Sequence, residues 1–274
     1  MSFVTVDALE RELRRLESAR QIAVRSAIPA YPVEFAMSVG IAPDPWQIEV
    51  LASDHPRKIL LCARRAGKTT VAAVLAIHTA LTKPGAEVLI LAPTEDQAKI
   101  AYSQAARLYR KAGATHGALS DRRTGLELRN GSTIEARTAL ERSTRGRGAD
   151  LLIFDEASRI FEQDYLGVLP TLAASGGDQI LLSTPNGRRG FFHDIWHDTG
   201  DDWERTRVVA SDVPHRYPMG LEFFRRRMPQ EYFQQEFFCE WLDTDGSLFS
   251  HEDIEAALAA GEDVAAIEIG DDEW

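Results

Sequence analysis

Residues 58–70 read Lys-Ile-Leu-Leu-Cys-Ala-Arg-Arg-Ala-Gly-Lys-Thr-Thr, and this stretch decides the fold. An apolar run typical of a β-strand leads into a short loop that ends in Gly-Lys-Thr. A stretch rich in Ala and Val follows, as expected for a helix. The order of strand, loop, Gly-Lys-Thr and helix is that of a loop that binds nucleotide phosphates. The pattern is incomplete, because Cys62 stands where the first glycine of G-x-x-x-x-G-K-[ST] is expected.

Each residue type in this loop has a chemical reason. Gly67 lets the backbone approach phosphate oxygens, and N–H groups at a helix N-terminus favour an anion. Lys68 can reach the β- and γ-phosphates of ATP, and the Thr69 hydroxyl can ligate Mg²⁺. The predicted nucleotide-binding residues of the loop are Arg64, Arg65, Ala66, Gly67, Lys68, Thr69 and Thr70.

A second motif supports this interpretation. Four apolar residues, 151–154, predict a buried parallel strand that ends in Asp155-Glu156. Ligands of α/β sheets bind at the carboxyl ends of the strands, so Asp155 should lie beside the phosphate loop. There Asp155 can hold Mg²⁺ through water, and Glu156 can polarise the attacking water as a general base.

A third motif follows another predicted strand, residues 179–183. It reads Ser183-Thr184-Pro185, followed by Asn-Gly. Hydroxyls at the carboxyl end of a strand can contact the γ-phosphate, so that its release on hydrolysis leads to movement of other parts of the protein. The alternative is an ordinary turn, but three motifs in this order favour the coupling role.

The pair Trp46-Gln47 lies upstream of the loop. An aromatic ring followed by an amide can stack on adenine and hydrogen-bond its edge, because an amide offers a donor and an acceptor. The alternative places Trp46 in the core and Gln47 at the surface. The position before the loop favours contact with adenine.

A basic loop, residues 141–148, precedes the Asp-Glu strand and contains three arginines. An arginine near a triphosphate can act as an arginine finger, in cis or in a neighbouring subunit. Contact with DNA phosphates and a flexible basic loop are the alternatives. Arg145 is the best candidate for the finger.

The net charge of −11 is unevenly distributed. Residues 228–274 contain no Lys or Arg and fourteen acidic residues, so residues 1–227 hold all 31 basic residues against 28 acidic ones. An acidic total argues against a coat of nucleic acid over the whole surface but allows a local basic face.

The sequence also shows no signal peptide and no apolar run of transmembrane length, and two cysteines favour an intracellular setting.

The remaining pattern alternates strands and helices, which predicts an α/β fold with a mainly parallel sheet flanked by helices. We expect an amphipathic helix over 5–27 and an irregular, proline-rich connector over 28–45. Residues 46–210 then form the ATPase core, and 211–274 a small C-terminal helical subdomain with an acidic tail. Other predicted elements are helices at 69–82, 95–112, 219–242 and 251–260, a strand at 87–91, and a hairpin of strands 125–129 and 132–137 around Asn130-Gly131.

Taken together, these motifs resemble the ATPase part of the large subunit of tailed-bacteriophage terminases, the motors that package DNA into capsids. Residues 63–69, 151–156, 183–187 and 236–241 carry the resemblance, which covers roughly 40–250. It implies a RecA-like P-loop NTPase fold with ATP and Mg²⁺ as cofactors. Arg64 or Arg145 would supply positive charge at the transition state. Residues after about 211 would form a lid or linker, and Ser183, Thr184 and Pro185 would couple hydrolysis to DNA movement.

The resemblance also implies partners and a location. These are double-stranded DNA, a portal protein, a small terminase subunit and further copies of the chain in a ring on the procapsid. The isolated chain is expected to be a monomer in the host cytoplasm, without a membrane partner. Such subunits usually carry a nuclease domain after this region, and we expect no complete nuclease here because the chain ends at Trp274.

Two other functions fit parts of the pattern. A helicase-like ATPase lobe would need a second RecA-like lobe, and about 90 residues after Ser183-Thr184-Pro185 are too few. A scaffold that keeps nucleotide only as structure would have no need of Glu156.

Overall fold

An eight-stranded sheet is the centre of the part of the chain that the computed structural model describes, residues 28–113, 118–122, 124–139, 148–173 and 175–242. The strands are β1 (Arg57–Cys62), β2 (Glu87–Ala92), β3 (Ala118–Arg122), β4 (Gly125–Leu128), β5 (Thr133–Thr138), β6 (Leu151–Asp155), β7 (Asp178–Ser183) and β8 (Glu204–Val208).

The strand order across the sheet is β3-β4-β5-β2-β6-β7-β1-β8. All neighbours from β5 to β8 in this order pair in parallel. At the other edge β4 pairs antiparallel with β5, and β3 antiparallel with β4. The mainly parallel sheet with flanking helices confirms the predicted α/β, RecA-like class. The predicted hairpin at Asn130-Gly131 is also confirmed, as the connection between β4 and β5.

The central strands are buried on both faces, which explains why their sequences are continuous apolar runs. All five residues of β6 are buried, as are the last five of β1, β2 and β7. Helices must therefore cover both faces of the sheet. The helices of the described residues are α1 (Pro32–Ser38), α2 (Pro45–Ala52), α3 (Lys68–Thr82), α4 (Glu95–Lys111), α5 (Glu162–Val168), α6 (Phe191–His197), α7 (Leu221–Arg225) and α8 (Gln230–Phe238).

Helices α3 and α4 begin and end within about one residue of the predicted positions. Thr94 precedes α4 and its hydroxyl accepts a hydrogen bond from the Gln97 N–H, which satisfies one free donor of the first turn. Acidic residues in the first turn and basic residues in the last turn of α4 complement the helix dipole.

Two expectations about the remaining helices were wrong. The connector predicted over 28–45 contains α1, because Pro32 occupies the first turn of a helix, where a missing N–H costs nothing. The single helix predicted over 219–242 is two helices, and Pro229 stands directly before the second one.

One hydrophobic core holds the described residues together. Phe233 and Phe237 of α8 belong to the same buried cluster as the apolar residues of β1 and β6. The C-terminal helices therefore pack against the sheet. The helices predicted over 5–27 and 251–260 lie outside the described residues. No helix in the described ranges combines the length and the apolar character needed to cross a membrane.

Candidate functional site

The strand order brings the three predicted motifs to one edge of the sheet. Strand β7 lies between β1 and β6 and pairs in parallel with both. The carboxyl ends of the three strands therefore lie side by side. The phosphate loop follows β1, the Asp155-Glu156 pair ends β6, and Ser183 ends β7. These are the positions at which ligands of open α/β sheets bind.

Lys68 and Glu156 form an ion pair at this edge. The Lys68 Nζ lies 3.1 Å from the Glu156 Oε1, and the two side chains are 8% and 24% exposed. Burial opposes the charge of Lys68, but the charges of Glu156 and Asp155 outweigh burial and raise the pKa of the ammonium group. Lys68 is therefore held as a cation beside the two carboxylates.

Asp155 lies against the first turn of α3. Its Oδ2 accepts a hydrogen bond from the Thr69 hydroxyl at 3.3 Å, and its Oδ1 accepts one from the Glu156 N–H at 3.1 Å. Burial and the neighbouring charge of Glu156 raise the pKa of Asp155 to about 6, against the opposite effects of Lys68 and Thr69. A carboxylate and a hydroxyl at this separation are the oxygen donors that Mg²⁺ prefers.

The backbone at the Asp155-Glu156 pair is strained in a way that positions Glu156. Glu156 has a φ of 55°, a left-handed conformation that is rare outside glycine. This turn directs its carboxylate towards both Lys68 and β7, where the Ser183 Oγ lies 3.5 Å from the Glu156 Oε2. Strain of this kind concentrates at functional sites.

Ser158 connects the acidic pair to the third motif, and the sequence analysis missed it. Its Oγ lies 2.8 Å from the Ser183 Oγ and donates to the Thr184 carbonyl at 2.8 Å. The Asn186 side chain donates in turn to the Ser158 carbonyl. The predicted coupling residues Ser183 and Thr184 are thus tied to Glu156 by two hydroxyl groups. Pro185 follows directly, and its coupling role stays a prediction.

Arg64 is held by the C-terminal part of the described chain. Its guanidinium lies 3.2 Å from the Glu236 Oε2, its N–H donates to the Glu236 carbonyl at 2.7 Å, and its carbonyl accepts from the Tyr217 hydroxyl. The Arg64 side chain remains 66% exposed. Arg145 lies outside the described residues, so its role as a finger stays a prediction.

The two residues predicted to contact adenine occupy different environments. Trp46 belongs to the hydrophobic core and is 8% exposed. Gln47 is buried, and its amide donates to the Gly67 carbonyl at 3.1 Å. Arg216 lies next to this pair, with its guanidinium 3.4 Å from the Gln47 Oε1. No sequence pattern marks Arg216, because its partners lie about 170 residues away along the chain.

The loop itself fits a phosphate ligand. Gly67 has a φ of 102° and Arg65 a φ of 63°, so the backbone turns through two left-handed residues before α3 begins. Successive backbone N–H groups in such a turn form an anion-binding concavity. The Ala66 and Thr70 N–H groups already donate to the Ala63 and Gly67 carbonyls, so a phosphate would be bound by the N–H groups of Gly67, Lys68 and Thr69 at the start of α3. The Thr69 and Asp155 oxygens beside them could hold a Mg²⁺ ion.

Comparison with known families agrees with the resemblance found from the sequence motifs. The family model described as "Terminase large subunit, T4likevirus-type, N-terminal" matches residues 59–256. The large terminase subunit of Escherichia phage T5 is 30% identical over 221 residues, which cover 77% of this chain and 50% of that protein. The chain spans about half the length of the curated relatives it matches.

Solved structures share the fold. The large terminase ATPase domain of Thermus phage P74-26 is 24% identical, with a TM-score of 0.68 over 78% of this chain and all of that one. The large terminase of another thermophilic bacteriophage, solved in complex with ADP, is 17% identical, with a TM-score of 0.60 over 72% of this chain and 53% of that one.

Proposed function

Because this chain belongs to the phage terminase large-subunit family and matches its N-terminal part, we propose that it is an ATP-hydrolysing motor domain that drives double-stranded DNA into a procapsid. The observation that carries the proposal is the convergence of Lys68, Thr69, Asp155, Glu156 and Ser183 at one edge of the sheet. A site that only bound nucleotide would have no need of a carboxylate held beside the lysine.

The phosphate loop and Lys68 bind the triphosphate. The nucleotide phosphates replace Glu156 as the partner of the Lys68 ammonium, which the ion pair keeps charged and in place. The Thr69 hydroxyl and, through water, the Asp155 carboxylate would hold Mg²⁺, which would neutralise charge on the phosphate oxygens. Adenine contact by Trp46 stays a prediction, whereas the Gln47 amide oxygen already accepts from the Asp44 N–H and from Arg216.

Glu156 is then free to act on water. Its carboxylate orients the attacking water and accepts its proton as a general base. The Ser183 hydroxyl lies 3.5 Å from the same carboxylate, so protonation of Glu156 alters the contacts of Ser183. Ser158, which contacts both Ser183 and the Thr184 carbonyl, transmits this alteration to Thr184. Arg64, at the start of the loop, or Arg145 supplies additional positive charge at the transition state.

Motor activity requires an assembly. We propose that several copies form a ring on the procapsid in the host cytoplasm, together with a portal protein and a small terminase subunit. In isolation we expect the chain to be a monomer, and its turnover to be slow if the arginine has to come from a neighbouring subunit.

Hydrolysis by matched variants tests the ATPase proposal. Phosphate release with Mg²⁺ and ATP should be lost in Lys68→Ala, because the ammonium that binds the phosphates is gone. Lys99→Ala is the control, since Lys99 pairs with Glu95 at 2.7 Å and belongs to none of the three motifs. Equal rates in wild type and Lys68→Ala would contradict the proposal.

A second arm tests coupling to DNA. Double-stranded DNA should raise the hydrolysis rate of wild type above the rate without DNA. A wild-type protein that binds nucleotide but never turns it over, with or without DNA, would instead favour a binding-only scaffold.

A further inference from the structure

A buried ion cluster lies behind the phosphate loop and involves none of the residues to which a role in hydrolysis is assigned above. Asp44, directly before α2, is almost fully buried and accepts from Arg216, whose Nη2 and Nε lie 2.6 Å and 2.7 Å from its Oδ2. The His215 Nε2 lies 3.0 Å from the other oxygen, Oδ1. A buried carboxylate needs such partners, because an unpaired charge in the interior is strongly unfavourable.

Gln47 connects this cluster to the loop. Its Oε1 accepts from the Asp44 N–H at 3.0 Å and from the Arg216 Nη2 at 3.4 Å. Its Nε2 donates to the Gly67 carbonyl at 3.1 Å. Both acceptor sites of the amide oxygen are therefore occupied within the protein, and an amide in this state cannot accept a hydrogen bond from a base.

The contact with Gly67 is tight as well as polar. A Cβ atom built on Gly67 would lie 2.7 Å from the Gln47 Nε2 and 2.9 Å from the Arg216 Cζ. The two side chains thus lie directly against the glycine, on the side where any other residue would carry its side chain.

Fixing the Gly67 carbonyl has a consequence for the ligand side of the loop. The peptide bond between Gly67 and Lys68 is planar and trans, so the Lys68 N–H points opposite to the Gly67 C=O. The Gly67 carbonyl also accepts from the Thr70 N–H at 3.1 Å and the Val71 N–H at 3.4 Å, so the hydrogen bond from Gln47 adds a side-chain restraint to the direction in which the Lys68 N–H donates. That N–H stands at the start of α3, where phosphate oxygens are bound.

We propose that Arg216 is a positioning residue for the phosphate loop. Anchored by Asp44, it holds Gln47, and Gln47 holds the Gly67–Lys68 peptide so that its N–H points into the phosphate site. The inference rests on the proposed nucleotide-binding function and assigns Gln47 to the loop rather than to the base. It also gives the segment that follows β8 a direct effect on phosphate affinity.

The test uses variants that keep the buried charge balanced. Arg216→Lys retains a cation for Asp44 but loses the planar fork that reaches Asp44 and Gln47 together. The double variant Asp44→Asn/Arg216→Gln removes both charges, in case one alone is not tolerated. Arg226→Lys is the matched control, because Arg226 pairs with Glu222 at 2.7 Å on the exposed surface of α7 and its C-terminal end. Thermal unfolding identifies the folded variants.

Affinities are measured by calorimetry for ADP and for tripolyphosphate, which has no base. Arg216→Lys and Gln47→Ala should each raise the Kd of both ligands about tenfold and by the same factor, the scale of one hydrogen bond to a charged group. The control Arg226→Lys should leave both Kd values and the turnover at saturating ATP within twofold of wild type. Combining the two substitutions should add little, because both act on the same carbonyl.

Three results would overturn the inference. They are an unchanged Kd for both ligands in folded Arg216→Lys, a loss of affinity for ADP without a loss of affinity for tripolyphosphate, and a fall in turnover without a change in either Kd. Wild type that binds neither ligand would remove the proposed function together with this inference. If wild type binds both and Lys68→Ala abolishes hydrolysis while Arg216→Lys changes nothing, only this inference fails.

Discussion

Replacing Glu156 by glutamine separates binding from chemistry at this site. The substitution keeps the shape of the side chain and removes its negative charge and most of its basicity. Removal of a general base costs about 10²–10⁴-fold in turnover, or about 3–5 kcal/mol in the barrier. We therefore expect Glu156→Gln to hydrolyse ATP at least about 100-fold more slowly than wild type.

The same substitution should not weaken the binding of ATP. Lys68 and Glu156 are 3.1 Å apart, which corresponds to a gross attraction of about 5 kcal/mol at an effective dielectric constant of 20. Nucleotide has to displace this pair, so an uncharged glutamine removes a competitor for the Lys68 ammonium. The Kd of the variant for ATP should be equal to that of wild type or lower.

The assays are steady-state phosphate release and equilibrium binding of a fluorescent ATP analogue. Glu95→Gln is the matched control, because Glu95 is an exposed carboxylate that pairs with Lys99 at 2.7 Å and belongs to none of the three motifs. It should leave both quantities within twofold of wild type. Turnover by Glu156→Gln within threefold of wild type, with binding intact, would refute the base assignment.

Three other perturbations have defined outcomes. Asp155→Asn should raise the Mg²⁺ concentration for half-maximal hydrolysis about 10–100-fold, which a metal titration measures; an unchanged titration contradicts the metal role. Gly177→Ala should lower the free energy of unfolding by about 1–3 kcal/mol, since a Cβ there would lie 2.1 Å from the Ala149 carbonyl oxygen. Denaturant titration should show no such loss for Gly148→Ala, whose Cβ would meet only an ordinary 3.7 Å contact. The hydrolysis rate per subunit should rise with protein concentration if an arginine such as Arg145 acts in trans, and a flat profile argues against it.

Local sequence patterns were sufficient for the elements that carry the motifs. The apolar runs of β1, β6 and β7 and the helix after Gly67 depend on interactions between residues close in sequence. The Asn130-Gly131 turn is equally local, because its left-handed glycine determines the hairpin.

Prediction from local sequence patterns failed at a proline and at a polar strand. Pro32 was interpreted as a break, although the first turn of a helix tolerates proline. Strand β8 reads Glu-Arg-Thr-Arg-Val and has no apolar run, because an edge strand with little burial needs none. Its existence depends on pairing with β1, which no local pattern reports.

The sequence by itself determined the chemistry at the ends of three strands, because each motif is a short run whose residue types must be adjacent to act. Only the tertiary structure decided that β7 lies between β1 and β6, which brings Ser183 within reach of Glu156. It also decided that Arg216 lies behind Gly67, across 149 residues of chain. Such contacts arise from packing one buried sheet, and their energy is shared among residues that are distant in sequence.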